Sequence, residues 1–221
     1  MADSRIIFVN RFFYPDISAT SQILSDLSFE LAAGGEQIHI VTSRLRYDDA
    51  AAVLAAHEVV NGVAVHRVWT SRFGRGNLFG RLADYLTFYL TAPLKAWALA
   101  SRGDVIVAKT DPPIISVPLM FAARLRGAKL VNWLQDLFPE VAGALGMKLG
   151  GGAVMCVLTW LRDRSLRAAA ANVVLGSRMA TIATAHAPQS RVRVVPNWSA
   201  RRRHHPPAPL SQPVGCTVAD E

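Results

Sequence analysis

Short runs of β-branched and aliphatic residues alternate along the chain with longer segments of helical periodicity. The runs are apolar on both faces, which is typical of strands buried between helix layers in a parallel sheet. They lie at residues 6–9, 38–41, 63–65, 105–107, 130–131, 173–175 and 192–195. Helical periodicity falls at residues 21–33, 81–100, 115–126, 153–171 and 178–187. The pattern predicts an α/β fold with a Rossmann-like, doubly wound parallel sheet and right-handed crossovers.

The predicted helix at residues 81–100 is apolar enough to raise the question of a membrane. Asp84, Pro93 and Lys95 interrupt it, whereas a spanning helix needs about 20 predominantly apolar residues. The interruptions favour a helix that packs on the sheet. A helix partly exposed at the inner face of a membrane is the first alternative, and a true span is the second.

The chain of 221 residues, with 51% hydrophobic and 18% charged residues, has ample material for a core. From residue 201 the character changes to RRRHHPPAPLSQPVGCTVADE, which is rich in proline and has no helical or strand period. We therefore expect one domain over residues 1–200 and a disordered, basic, proline-rich tail over residues 201–221.

The formal net charge of +8 suggests an anionic partner. Basic residues are scattered, however, and no basic stripe with interleaved aromatics and no zinc-finger signature occurs, which argues against nucleic acid. Weak contact with a membrane surface fits better. Cys156 and Cys216 form no CxxC pair, and the N-terminus carries no secretory signal pattern, so we expect a cytoplasmic protein.

The loops that follow the strands are where an open parallel sheet binds its ligands. The first holds Asp16, Ser18, Thr20 and Ser21 at the start of a helix, whose free N–H groups suit phosphate. Ordinary N-capping by Ser18, Thr20 or Ser21 is the alternative.

Two further loops carry carboxylates at strand ends. One places Asp111 in a rigid turn before two prolines, and the other contains Gln135, Asp136 and Glu140. Two carboxylates and an amide there would orient sugar hydroxyls. A capping box, with Asp136 as the cap and Glu140 in the first helical turn, explains the same residues equally well.

Several motifs are missing. Gly74, Gly76 and Gly80 have the wrong spacing for a dinucleotide fingerprint, and Asp48-Asp49 are adjacent rather than spaced as DxD. No GxxxxGK[ST], HExxH or GxSxG pattern occurs. The sequence therefore predicts no metal site and no cofactor.

Several segments match one protein family in order and spacing across residues 5–198. The chain resembles glycosyltransferase family 4, in the branch of bacterial exopolysaccharide, colanic-acid and lipopolysaccharide O-antigen transferases. The segments that carry the resemblance are Phe13-Tyr14-Pro15-Asp16, the stretch from Leu31 to Thr42, the stretch from Gly62 to Val68, Thr110-Asp111-Pro112-Pro113, Gln135-Asp136-Leu137-Phe138-Pro139-Glu140 and Val195-Pro196-Asn197-Trp198.

The resemblance implies the N-terminal half of a GT-B fold, in which two Rossmann-like domains enclose the active site. The N-terminal domain of such enzymes mainly holds the acceptor, the C-terminal domain binds the nucleotide-sugar, and retaining transfer proceeds without a metal. The resemblance assigns Asp136 and Glu140 as catalytic. It assigns substrate binding to Asp16, Ser18, Thr20, Ser21, Asp111 and Gln135.

The chain departs from the family at three places. A histidine often stands where this chain has Gln135, and the paired glycines of many members are replaced by Ser18-Ala19-Thr20. After Val195-Pro196-Asn197-Trp198, where such proteins cross into the donor domain, the arginine- and proline-rich tail follows. We therefore expect a truncated chain that is inactive by itself.

The family activity is sugar transfer from a nucleotide-sugar donor to a lipid-linked glycan acceptor in cell-envelope polysaccharide assembly. Such a protein works in the cytoplasm, either free or in peripheral contact with the inner face of the plasma membrane. The alternatives are a catalytically inactive binding module that keeps the acceptor-side fold, and another Rossmann-type nucleotide enzyme such as an oxidoreductase.

Overall fold

Eight strands form one twisted sheet in the computed structural model, which describes residues 4–46, 53–73, 78–141, 151–188 and 191–198. The strand order is β3-β4-β2-β1-β5-β6-β7-β8, and every described pairing is parallel except that of β3 with β4. This confirms the predicted α/β, Rossmann-like sheet. The strands are β1 (Ile6–Val9), β2 (Ile38–Ser43), β3 (His57–Val60), β4 (Val63–Val68), β5 (Val105–Lys109), β6 (Lys129–Leu134), β7 (Ala171–Val174) and β8 (Val192–Val194).

Five helices between these strands lie entirely within the described residues, and all five match predicted segments. The largest error is at the fourth, because that helix ends at Ala168 and Ala171 already begins β7. The predicted helix at residues 153–171 was therefore too long at its C-terminal end. The helices are α1 (Ala19–Ala33), α2 (Leu78–Leu99), α3 (Ser116–Arg126), α4 (Gly152–Ala168) and α5 (Ser177–His186).

Helix α2 packs on the sheet, as the interruptions in its sequence predicted. Phe88, Ala92 and Ala96 lie on its buried stripe, in the same cluster as Ile7 and Ile106 of the central strands. Within the described residues, no helix has the length and apolarity needed to cross a membrane.

Strand β3 was not predicted, although the sequence holds a signal for it. It pairs antiparallel with β4 at the edge of the sheet. Asn61 and Gly62 join the two strands with φ values of 49° and 81°. A two-residue turn with positive φ at both positions is the usual hairpin connection, and Asn-Gly is its preferred sequence. The exposed side chains of β3 hide the strand from a search for buried runs.

Neighbouring residues of the central strands alternate between two cores. Ile7 and Ile106 face α2 and α3, whereas Phe8 and Val107 face the side covered by α1. This alternation is the period of two of a β-strand. Both faces of the strands are therefore apolar.

The position of the ligand crevice follows from the strand order. The strand order reverses at the centre of the sheet: from β1 the chain adds β2 and β4 on one side, and then β5, β6, β7 and β8 on the other. In open α/β sheets, ligands bind outside the carboxyl ends of the strands at such a switch point. The loops after β1, β5 and β6 meet at this edge. Asp48-Asp49, Gly74, Gly76 and the predicted tail at residues 201–221 lie outside the described residues.

Candidate functional site at the carboxyl edge of the sheet

The loop between β1 and α1 uses most of its polar groups to hold its own shape. The Ser18 hydroxyl oxygen accepts a hydrogen bond from the Ser21 backbone N–H at 3.3 Å, so Ser18 is the N-cap of α1. The Asp16 carboxylate accepts from the Ser18 N–H at 3.2 Å, and the Ser21 hydroxyl donates to the Asp16 carbonyl at 3.1 Å. Ser21 is fully buried and Asp16 nearly so. The capping alternative is thus realised by Ser18, while Thr20 and Ser21 lie inside the helix.

Backbone contacts tie the three loops together. The Arg11 N–H donates to the Asp111 carbonyl at 2.8 Å, which joins the first loop to the second. The Gln135 N–H donates to the Thr110 hydroxyl at 3.1 Å, which joins the third loop to the second. Asp111 and Gln135 therefore lie on neighbouring loops, as expected for residues at the ends of adjacent strands.

Asp136 and Glu140 differ in their surroundings, although they stand in one loop. Asp136 is exposed, and its carboxylate makes no hydrogen bond or ion pair within the described part of the chain. Helical conformation begins at Glu140. The predicted capping box, with Asp136 as the cap, is therefore not formed.

Glu140 is held by an ion-pair network. The Arg162 guanidinium donates to both Glu140 carboxylate oxygens, at 2.7 and 2.9 Å. Arg162 is buried, and its Nε donates to Asp163 at 2.7 Å. Asp163 in turn contacts the His186 ring at 3.0 Å. The network connects the third loop to α4 and α5, and it occupies both oxygens of Glu140.

Gln135 contacts the C-terminal end of the described chain. Its carbonyl oxygen accepts a hydrogen bond from the Asn197 side chain at 3.1 Å. Its amide nitrogen is buried without a hydrogen-bond partner among the described residues. Residue 135 thus lies where the segment Val195-Pro196-Asn197-Trp198 meets the third loop.

Lys109 is a buried lysine at the end of β5 to which the sequence assigned no role. Its Nζ donates to the Thr20 carbonyl at 2.6 Å and stands 4.3 Å from the Trp133 ring centroid. Trp133 stacks on Trp198, with centroids 5.9 Å apart. Burial lowers the pKa of Lys109 to about 7, against the opposing effect of Asp111. A lysine that ends an otherwise apolar run, Val105 to Ala108, was the available signal.

A narrow crevice runs between the second and third loops. Its walls include Lys109, Thr110, Asp136 and Arg162. Its volume of about 20 Å³ is enough for about one water molecule. The crevice therefore has no room for a ligand larger than a water molecule.

Three histidines on β2, β3 and β4 bond to one another away from this edge. The His39 ring contacts the His66 ring at 3.0 Å, and His66 contacts His57 at 3.3 Å. Burial is the main cause that lowers the pKa of His66 to about 4. In the part of the chain that the structure describes, no group of three or more histidine, cysteine or acidic side chains is arranged to hold a metal ion.

Residues 19–198 match the family model of the glycosyl transferase 4-like domain. The chain belongs to this family. The match contains Thr20, Ser21, Asp111, Gln135, Asp136 and Glu140, and it begins after Asp16 and Ser18. The second and third loops at the carboxyl edge are therefore parts of a glycosyl transferase 4-like domain.

Comparison with other known proteins adds little to the family assignment. No curated protein matches the chain. One similar solved structure is α,α-trehalose 6-phosphate synthase from Burkholderia multivorans, with 14% identity and a TM-score of 0.49. The match covers 82% of this chain and 41% of that one. This glycosyl transferase 4-like chain thus spans less than half the length of that protein.

Proposed function

We propose that the chain is the acceptor-side domain of a glycosyltransferase that moves a sugar from a nucleotide-sugar to a lipid-linked acceptor. The observation that carries this proposal is the glycosyl transferase 4-like match over residues 19–198. The process is cell-envelope polysaccharide assembly of the exopolysaccharide or O-antigen type, at the inner face of the plasma membrane. The motifs in the loops after β1, β5 and β6 support that subtype.

Asp136 is the carboxylate best placed to take part in the transfer. Positive charge develops on the donor sugar in glycosyl transfer, as it does in glycoside hydrolysis, and an acceptor hydroxyl has to be oriented toward it. The Asp136 carboxylate is exposed at the carboxyl edge and has no partner within the described residues. It is free to accept a hydrogen bond from an acceptor hydroxyl or to stabilise the developing charge.

Glu140 acts in this proposal as a positioning residue. Both of its oxygens are bound by Arg162, and a charged, bidentate pair of this kind fixes geometry well. The pair anchors the loop that presents Asp136. We therefore assign Glu140 the role of holding the loop that carries Asp136, in place of the catalytic role that the resemblance implies.

Substrate binding falls to the groups that remain accessible around Asp136. Ser18 and Thr20 are half-buried at the N-terminus of α1, which suits the donor diphosphate. Asp111 and Gln135 flank the acceptor region. Asp16 and Ser21 are buried, so we assign them to the shape of the phosphate-facing loop rather than to direct contact.

The open carboxyl edge favours a two-part active site. A crevice with room for about one water molecule cannot enclose a sugar. A second wall, which a donor-binding domain supplies in the GT-B arrangement, has to close the site. We assign the acceptor-side domain to residues 1–200 and a tail to residues 201–221. In this proposal the domain holds the acceptor, and turnover needs a donor-binding domain as well. A binding module with the same fold is the second candidate, favoured by the same open edge.

An assay of binding and transfer tests this function and separates the two candidates. The chain is first titrated with a short-chain polyprenyl diphosphate sugar, and binding is expected. It is then joined after Trp198 to the donor-binding domain of a glycosyl transferase 4 enzyme and given radiolabelled uridine- and guanosine-diphosphate sugars. Label in the lipid phase is the expected result. Binding without transfer would support the binding module, and the absence of both would contradict both candidates.

A further inference from the structure

Helices α2, α3 and α4 lie side by side on one face of the sheet, and their outer surface is apolar. Leu90, Leu94 and Leu125 are 67%, 65% and 75% exposed, and Trp160 is 57% exposed. We call this surface the helical face, and its main apolar residues are Leu90, Leu94, Trp97, Phe121, Leu125 and Trp160.

The spacing of these residues makes α2 apolar on two opposite sides. Leu90 and Leu94 are four residues apart and form one stripe with Trp97, whereas Phe88 and Ala92 lie buried against the sheet. A surface helix ordinarily turns polar side chains outward. A contiguous apolar patch that stays exposed marks an interaction surface.

The exposed charges of these three helices are of one sign. Their two carboxylates, Asp84 and Asp163, are only 4% and 8% exposed, whereas Arg124 and Arg164 are exposed beside the apolar residues. Arg126 stands 4.5 Å from the Trp97 ring, and its Nε donates to the Trp97 carbonyl at 2.7 Å. The helical face therefore combines leucine and tryptophan with arginine and presents no acidic group from α2, α3 or α4.

A groove between α3 and α4 joins the apolar and basic parts of the face. Its volume is about 1060 Å³, and Phe121, Leu125 and Trp160 line it together with Arg124 and Arg164. Guanidinium groups recognise phosphate through paired N–H donors. An apolar floor with arginines at its rim fits the boundary between lipid headgroups and acyl chains.

We propose that the helical face docks on an anionic lipid bilayer, with the three helices lying in the plane of the headgroups. A helix surface with apolar side chains flanked by basic ones binds in this way without spanning the membrane. A symmetric dimer through the same face would bring like charges together. The face lies on the side of the sheet that α2 and α3 cover, away from the carboxyl edge. The proposal rests on the proposed function for its place at the plasma membrane, but its test needs no sugar transfer.

Vesicle binding by the full chain tests this docking. The chain is sedimented with vesicles of phosphatidylcholine alone and of phosphatidylcholine mixed with phosphatidylglycerol. We expect binding to the anionic vesicles, less binding at high salt, and quenching of tryptophan fluorescence by brominated lipids. Equal binding to both vesicle types, or no binding to either, would overturn the proposal.

Paired substitutions locate the surface. Arg124→Gln with Arg164→Gln should weaken binding about 30-fold, because each basic residue near an anionic surface contributes about 1 kcal/mol. The matched control is Arg191→Gln with Arg193→Gln, two exposed arginines outside the helical face, which should change binding little. Equal losses in the two pairs would contradict docking through this face.

A second pair tests the apolar contribution. Leu90→Gln with Leu94→Gln should weaken binding at least about tenfold, whereas Val59→Thr, at an exposed position on β3, should not. Melting curves check that all variants fold. If the double leucine variant has a lowered melting temperature, the double variant of the exposed Arg124 and Arg164 still tests docking through this face. Concentration-dependent dimerisation without vesicles, abolished by these substitutions, would overturn the proposal in favour of self-association.

Discussion

The loop after β1 and the loop after β6 lie at the same edge of the sheet, and both carry polar residues suited to a ligand. In the first, Ser18, Ser21 and Asp16 bond to one another. In the loop after β6, Glu140 is paired with Arg162, and Asp136 has no partner among the described residues. Position at a strand end marks both loops as candidates. Which polar groups remain available for a ligand depends on the partners that the fold supplies.

The first prediction, with the largest effect, concerns Glu140 in the loop after β6 and the Arg162 side chain that holds it. Arg162→Leu removes a buried guanidinium that holds Glu140 and Asp163. Breaking a buried ion pair by deleting one partner typically costs about 3–5 kcal/mol. Urea unfolding should show a loss of this size. Arg164→Leu, at an exposed site on the same helix, is the control, and equal small losses in both variants would remove the structural role of the network.

The next effect concerns Lys109, which contacts Thr20 in the first turn of α1 and Trp133 near the end of β6. The pKa of Lys109 is lowered from 10.5 to about 7 by burial. Between these values the unfolded chain binds a proton that the folded chain does not, so stability rises with pH. The slope is up to about 1.4 kcal/mol per pH unit. Lys109→Met should flatten this rise, whereas Lys129→Met, at an exposed position in β6, should not. The free energy of unfolding, measured from pH 7 to 10 for the wild type and both variants, tests this prediction. A wild-type free energy that does not change with pH would contradict it.

The smallest effect concerns the capped loop. Ser18→Ala removes the side chain that accepts the Ser21 N–H, and loss of an N-cap costs about 1 kcal/mol. Ser18→Asn should keep the stability, because asparagine caps as well as serine does. Thermal unfolding of both variants tests this. If alanine and asparagine behave alike, the hydroxyl of Ser18 is not used in the fold, and the contrast between the two loops weakens.

The hydrophobic pattern predicted the centre of the sheet well and its margins poorly. Strand β1 was predicted with its observed bounds, because all four of its residues are apolar. Strand β2 runs two residues past its apolar run. The Thr42 hydroxyl donates to the Arg11 carbonyl at 2.9 Å, and Ser43 pairs with Thr70 at 2.8 Å. Buried hydroxyls whose partners lie elsewhere in the fold give no periodic signal.

The sequence predicted which loops form the site. It did not predict which of their polar side chains have partners within the fold. The strand-end rule selected the residues of all three loops without any knowledge of their partners. Arg162 lies 22 residues beyond Glu140, and no pattern in the sequence pairs the two. The burial of Lys109 was equally hidden, because its contacts are the Trp133 ring on another strand and the Thr20 carbonyl 89 residues earlier in the chain.

The proposed part of Asp136 in sugar transfer is tested by the Asp136→Asn variant of the chain joined to a donor-binding domain, in which transfer is measured. Asparagine keeps the shape and removes the charge of a side chain that has no partner in the described structure. The melting temperature should therefore stay the same, while transfer should fall about a hundredfold, since a charged hydrogen bond used in the transition state contributes a few kcal/mol. Near-normal transfer, or a large drop in melting temperature with transfer per folded molecule intact, would show that Asp136 has no part in the transfer.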